Sequence, residues 1–198
     1  MPETVQKSFH KLTRCTSFLT STFIFVYFAI EDNSFEYFIY FTDWGMLLTS
    51  LYFLLSLISY HFSFNSVLTE NFLVIWVFNW LITLAFWGYL YPVEGSADLL
   101  RSSITHSVPL LLTLIEYWQL RLSIARLDYF YPLGVLLSYL YFVLIPYTLL
   151  VRPIYTGIDF QNFFSLIFCT GLFWLAVAFL ELVNVAKVKE NIQEIRIA

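Results

Sequence analysis

Charge is scarce in this chain: only 12% of its 198 residues are Asp, Glu, Lys or Arg, about half the share usual in soluble domains. A water-soluble fold needs charged side chains to cover its surface. Set beside a hydrophobic content of 60%, that shortage excludes one. Basic residues are the scarcer sign. With 10 Lys and Arg against 14 Asp and Glu, and no run of Lys or Arg, the chain has no field for a polyanion, so nucleic acid is excluded as a partner. The two cysteines, Cys15 and Cys169, fall before the first apolar stretch and inside the last, so no disulfide between them is expected. Walker, dinucleotide-fingerprint, His-Glu-x-x-His and Gly-x-Ser-x-Gly motifs are all missing, and there is no internal repeat. No cofactor and no resident metal are therefore expected.

Long apolar runs are what the chain does have. They cover 18–30, 44–64, 71–90, 104–120, 132–150 and 163–185, and a membrane span takes roughly 20 such residues. The pattern predicts an all-α, polytopic membrane protein, a single integral domain over 1–198 built as a bundle of six transmembrane helices. The first run is short and follows Lys7, Lys11 and Arg14, as in a signal peptide. The segment Glu31-Asp32-Asn33-Ser34-Phe35 offers no small-residue cleavage site, so the run reads as a retained helix with a ragged start.

Orientation follows from the basic residues, which are retained on the cytoplasmic side. With the N-terminus inside, Lys7, Lys11, Arg14, Arg121, Arg126, Lys187, Lys189 and Arg196 are cytoplasmic, and only Arg101 and Arg152 lie outside. The prediction is N-in and C-in, multi-pass, in an endomembrane or the plasma membrane, with membrane lipids as its surroundings. The loop with Glu31, Asp32, Glu36 and Asp43 then faces outward. Tyr37, Tyr40 and Trp44, with Trp87, Tyr89 and Tyr91, and with Tyr129 and Tyr131, read as interfacial belts.

Polar residues inside spans are costly and mark the places to look for function. The topology puts Thr42 and Asp43 at the outer start of span two, and His106 in the first turn of span four, at one depth. A hydroxyl and an imidazole able to take its proton are the ingredients of nucleophilic catalysis. In a first helical turn the dipole disfavours the imidazolium, which suits His106 to the part of base. The plainer reading is open too, with Thr42 and Asp43 as an ordinary N-cap. His61, Glu116 and Glu181 make a possible second polar layer on the inner side. Glu116 is about 15 Å along the helix from His106, too far to orient its ring. That layer reads either as a proton or metal site, or as Glu116 snorkelling towards Arg121 or Arg126 and Glu181 meeting Asn184. Asn79, in mid-span, reads as an interhelical hydrogen-bond donor.

The segment Phe41-Thr42-Asp43-Trp44-Gly45-Met46-Leu47-Leu48-Thr49-Ser50-Leu51-Tyr52-Phe53 resembles the second-span signature of the androgen-induced protein family and of related rolling-stone membrane proteins. His106-Ser107-Val108-Pro109, with Glu116 ten residues beyond the histidine, resembles the family's histidine span, although the proline falls early. Pro153-Ile154-Tyr155 and Glu181-Leu182-Val183-Asn184 resemble its late elements, with Arg152 where tyrosine is frequent. The resemblance covers about residues 37–185. It implies an intramembrane threonine hydrolase acting on fatty acid esters of hydroxy fatty acids, with Thr42 as nucleophile and His106 as base. The rolling-stone branch implies a non-enzymatic scaffold or fusion factor instead, and the inner layer leaves a small proton-linked transporter as a third reading.

Overall fold

The computed structural model describes residues 3–32, 39–60, 65–94, 98–120, 126–155, 158, 160 and 163–197. These form six helices: α1 (Glu3–Asp32), α2 (Phe41–Ile58), α3 (Asn65–Ala85, running on to Glu94), α4 (Leu99–Gln119), α5 (Phe130–Tyr139, running on to Leu150) and α6 (Phe163–Ile197). Of the residues singled out above, Glu36, Tyr37, His61 and Arg121 lie outside the described residues. So do the side chains of Lys7, Asp32, Arg126, Lys187, Lys189 and Arg196.

Five of the six helices are long and apolar enough to cross a membrane, and the chain is an all-α polytopic membrane protein. The remaining one, α4, has 21 residues and so the length to span, but Arg101, Ser102, Ser103, Thr105, His106, Ser107 and Glu116 lower its hydropathy. It tolerates them because it packs against α1, α2 and α3.

The centre of the bundle is α3, which touches α2, α4, α5 and α6. Every side chain from Phe72 to Asn79 is buried, as expected of a helix that is apolar all round. Gly45 on α2 lets α3 approach, since a Cβ there would run into Ile82. Asn79 ties three helices together: its amide donates to Thr49 on α2 at 2.9 Å, and to Thr113 at 2.8 Å and the Pro109 carbonyl at 3.3 Å on α4. The outer surface is apolar instead, with Phe23, Ile30, Trp118, Phe130, Phe142 and Leu150 all at least 70% exposed, a surface suited to lipid.

The first helix is much longer than the apolar run 18–30, and its span begins near Ser8. Two things let the polar stretch enter. Thr13 and Thr16 return their hydroxyls to carbonyls of the preceding turn, and Arg14 is neutralised by Glu116.

Proline shapes two other helices. A proline at position i removes the donor for the carbonyl at i−4 and crowds it. Pro92 and Pro146 do this to Gly88 and Phe142, and those residues lie inside the π turns Phe86–Leu90 and Leu140–Leu144. The widened turn re-pairs the ladder one residue further back, with Tyr91 N–H on the Phe86 carbonyl and Ile145 N–H on that of Leu140.

Candidate functional site

Thr42 is the second residue of α2. The N-cap is Tyr40, whose backbone is extended and whose side chain caps nothing. Thr42 is thus not the N-cap that its Thr-Asp sequence allows, and its hydroxyl turns to α4 instead, where Oγ1 lies 3.3 Å from His106 Nδ1. Asp43, buried in the same first turn, puts a carboxylate where the helix dipole favours one.

His106 stands deeper in its helix than its sequence context predicts. Asp98 is the N-cap and accepts from the Arg101 N–H at 2.9 Å, so α4 starts at Leu99 and His106 lies about two turns in. Dipole effects fade within the first turn, and packing sets the ring instead. The imidazole stacks on Phe86, with centroids 3.8 Å apart and planes within 4°. Its backbone carbonyl accepts from Thr83 Oγ1, and the Trp87 indole donates to Ser107 at 3.1 Å. These ties from α3 fix the height of His106 beside Thr42. When the imidazole carries its proton on Nε2, the Thr42 hydroxyl donates to the free Nδ1.

The pair lies in the wall of a partly open pocket between the helices. Its polar lining groups are Thr42, His106, Tyr139 and Tyr155. The rest is hydrocarbon, with Ile82, Ala85 and Leu90 from α3, Leu136, Leu140 and Leu144 from α5, and Phe168 and Leu172 from α6. Both π turns border it: Phe86 in the first supports His106, while Leu90, Leu140 and Leu144 supply wall. Pro92 and Pro146 were the sequence signal for this widening.

Two tyrosines hold the start of α2. The Phe41 N–H donates to the Tyr155 hydroxyl at 2.8 Å, and the Tyr139 hydroxyl donates to the Ile39 carbonyl at 2.8 Å. Burial pushes the Tyr155 phenol up to about 12 from its ordinary 10.0, so it keeps its proton at neutral pH. The residue as a whole is partly exposed, while its hydroxyl accepts from the Phe41 N–H. Tyr139 drew no notice in the sequence, where it is one aromatic in an apolar run.

Two members of the second polar layer, Glu116 and Glu181, fall among the described residues, and His61 does not. Glu116, 1% exposed, binds Arg14 of α1, with Nη2 at 2.6 Å and Nε at 2.9 Å from Oε1, and accepts from the Tyr52 hydroxyl at 2.8 Å. Arg14 can reach it because α1 extends far enough to lay Arg14 beside the far end of α4; Arg121 and the Arg126 side chain lie outside the described residues. Glu181 lies on α6, partly buried, and forms no ion pair with this cluster. Among the described residues no three His, Cys, Asp or Glu are grouped to hold a metal ion. Cys15 and Cys169 are free thiols.

Fold and site together define a multi-pass helical membrane protein with a partly open, largely apolar pocket and a hydroxyl–imidazole contact in its wall. No family profile, curated protein or solved structure matches the chain.

Proposed function

We propose that this protein is an intramembrane hydrolase of lipid esters, with Thr42 as nucleophile and His106 as general base. The observation that carries the reading is the 3.3 Å contact between Thr42 Oγ1 and His106 Nδ1 at the wall of a pocket lined mostly by hydrocarbon. A nucleophile and base within hydrogen-bond reach is the geometry this chemistry needs, and such contacts are often loose in free enzymes. The motif resemblance adds a substrate class, fatty acid esters of hydroxy fatty acids, whose acyl chains suit such walls. The basic-residue bias puts the pair towards the non-cytoplasmic side of an endomembrane or the plasma membrane.

In this mechanism a lipid ester enters between helices and sets its carbonyl beside Thr42. The Thr42 oxygen adds to the carbonyl carbon as its proton passes to His106 Nδ1. The tetrahedral adduct collapses, the bond to the alcohol oxygen breaks, and His106 returns the proton to that oxygen. The acyl group is left on Thr42. Water then adds to the acyl carbon, giving a proton to His106. Collapse of the second adduct breaks the bond to Thr42, whose oxygen regains the proton as the fatty acid leaves. Among the described residues no carboxylate is hydrogen-bonded to His106, and stacking on Phe86 takes the orienting part. The transporter alternative needs an exchangeable carboxylate at the depth of Glu116, and that group is held by Arg14 and Tyr52.

The test is hydrolysis of a fluid lipid ester by purified protein, together with covalent labelling by a fluorophosphonate. Thr42→Ala and His106→Ala are expected to lower turnover at least about 100-fold, and Thr42→Ala to abolish labelling. Turnover by either variant at the wild-type rate sinks the proposal.

A further inference from the structure

The first N–H groups of a helix lack intrahelical partners and are usually taken by a local Ser, Thr, Asp or Asn. At the start of α2 the N-cap Tyr40 makes no side-chain cap hydrogen bond. The Phe41 N–H instead reaches Tyr155, 114 residues along the chain, and the Ile39 carbonyl is taken by Tyr139, 100 residues along. Together the two bonds, from the Phe41 N–H to Tyr155 and from Tyr139 to the Ile39 carbonyl, hold the backbone on either side of Tyr40, immediately before Thr42.

We infer that Tyr155 and Tyr139 are positioning residues for Thr42, holding the first turn of α2 at the distance from His106 that proton transfer requires; this rests on the hydrolase reading above. A local cap would satisfy the same N–H without tying α2 to anything. The tyrosines tie it to α5 and to the segment before α6, which form other walls of the same pocket. The Tyr155 segment is itself braced. Ile158 N–H returns to the Tyr155 carbonyl at 3.1 Å, and Phe160, in the left-handed region at φ 56°, gives its N–H to the buried Ser165 Oγ at 3.0 Å. Rings reinforce the clamp, with Phe41 4.9 Å from Tyr139 and 4.6 Å from Phe78, centroid to centroid. The Thr42–His106 contact, at 3.3 Å, stands at the outer limit of a hydrogen bond, so a small shift of this turn separates the pair.

The experiment uses the full-length protein in detergent micelles, with para-nitrophenyl laurate as the probe, and compares wild type, Tyr155→Phe and Tyr139→Phe. The expected result is a fall in kcat of about 10- to 100-fold, the scale set by a misplacement of about 1 Å, with KM within about twofold. Hydrogen exchange should quicken at residues 41–43 and stay unchanged at 72–79. A folded variant with wild-type kcat overturns the inference. So does a rise in KM alone, which would make the tyrosines substrate contacts, or faster exchange throughout the bundle, which would make them merely structural. If neither variant folds, exchange at the wild-type Phe41 amide decides, and an unprotected amide overturns the clamp. If wild type neither turns over the ester nor takes a fluorophosphonate label, the hydrolase reading fails. The exchange data then judge the clamp by itself.

Discussion

Replacing Arg14 with methionine tests whether α1 is a working part of the bundle or a loosely attached span. It removes the guanidinium that meets Glu116 Oε1 at 2.6 and 2.9 Å and leaves a carboxylate that is 1% exposed. Tyr52 remains as a donor at 2.8 Å, but the other oxygen, Oε2, already lacks a partner among the described residues. A single hydroxyl does not offset a buried charge. Breaking a buried pair from one side costs about 3–5 kcal/mol, and Arg14→Met is expected to fall in that range. Glu116→Gln keeps an acceptor for Tyr52 and Arg14 and should cost less, about 1–3 kcal/mol. The double variant Arg14→Met/Glu116→Leu removes both charges together and should return to within about 1 kcal/mol of wild type. Reversible unfolding in mixed micelles, run as a double-mutant cycle, measures all of these, and the coupling energy should exceed about 2 kcal/mol. An Arg14→Met cost below about 1 kcal/mol, or strict additivity in the cycle, would refute a desolvated ion pair between α1 and α4.

Other perturbations probe the packing and the site. Gly45→Ala drives a methyl into Ile82 and to 3.2 Å from Asn79 Oδ1, and should cost about 1–3 kcal/mol by the same unfolding assay. Gly134→Ala meets open space and should cost nothing, so equal effects of the two would contradict the close approach of α2 and α3. Asn79→Ala removes bonds to Thr49, Thr113 and Pro109. Interhelical hydrogen bonds in membranes are modest, and both threonines keep bonds to their own helices, so the expected loss is about 1–2 kcal/mol. The Tyr155 phenol titrates near 12 rather than its ordinary 10.0 because it is buried. The fold thus favours its protonated form. The stabilisation is fully present below the ordinary value and is lost as pH rises through the folded one. Thermal stability of wild type should therefore fall more steeply above pH 10 than that of Tyr155→Phe, and parallel curves would contradict the burial of the hydroxyl.

Much of the architecture was legible in the sequence because hydropathy acts locally. Each run of apolar side chains must leave water and must pair its own backbone inside lipid, so the all-α, multi-pass fold follows from composition and run length. Helix counting also placed Thr42 and His106 at one depth, since both depend on the start of a span. Helix ends were less legible. The polar start of α1 looked like a boundary until Arg14 found Glu116 102 residues away, and Asp98 moved the start of α4 so that His106 sits deeper than its apolar run suggests.

Which side chains meet was decided only by tertiary structure. The rotation of each helix about its axis is set by how neighbours pack, and hydropathy carries no record of it. That rotation turns Thr42 from a helix cap into a partner of His106, puts Phe86 flat against the imidazole, and lets Tyr139 and Tyr155 close on the backbone before Thr42. Only the folded bundle shows that the π turns preceding Pro92 and Pro146 border one pocket. The sequence by itself determined that this chain forms membrane helices and which apolar runs carry its rare polar groups. The tertiary structure alone decided their pairing, because contacts between residues far apart in the chain depend on packing that no local pattern encodes.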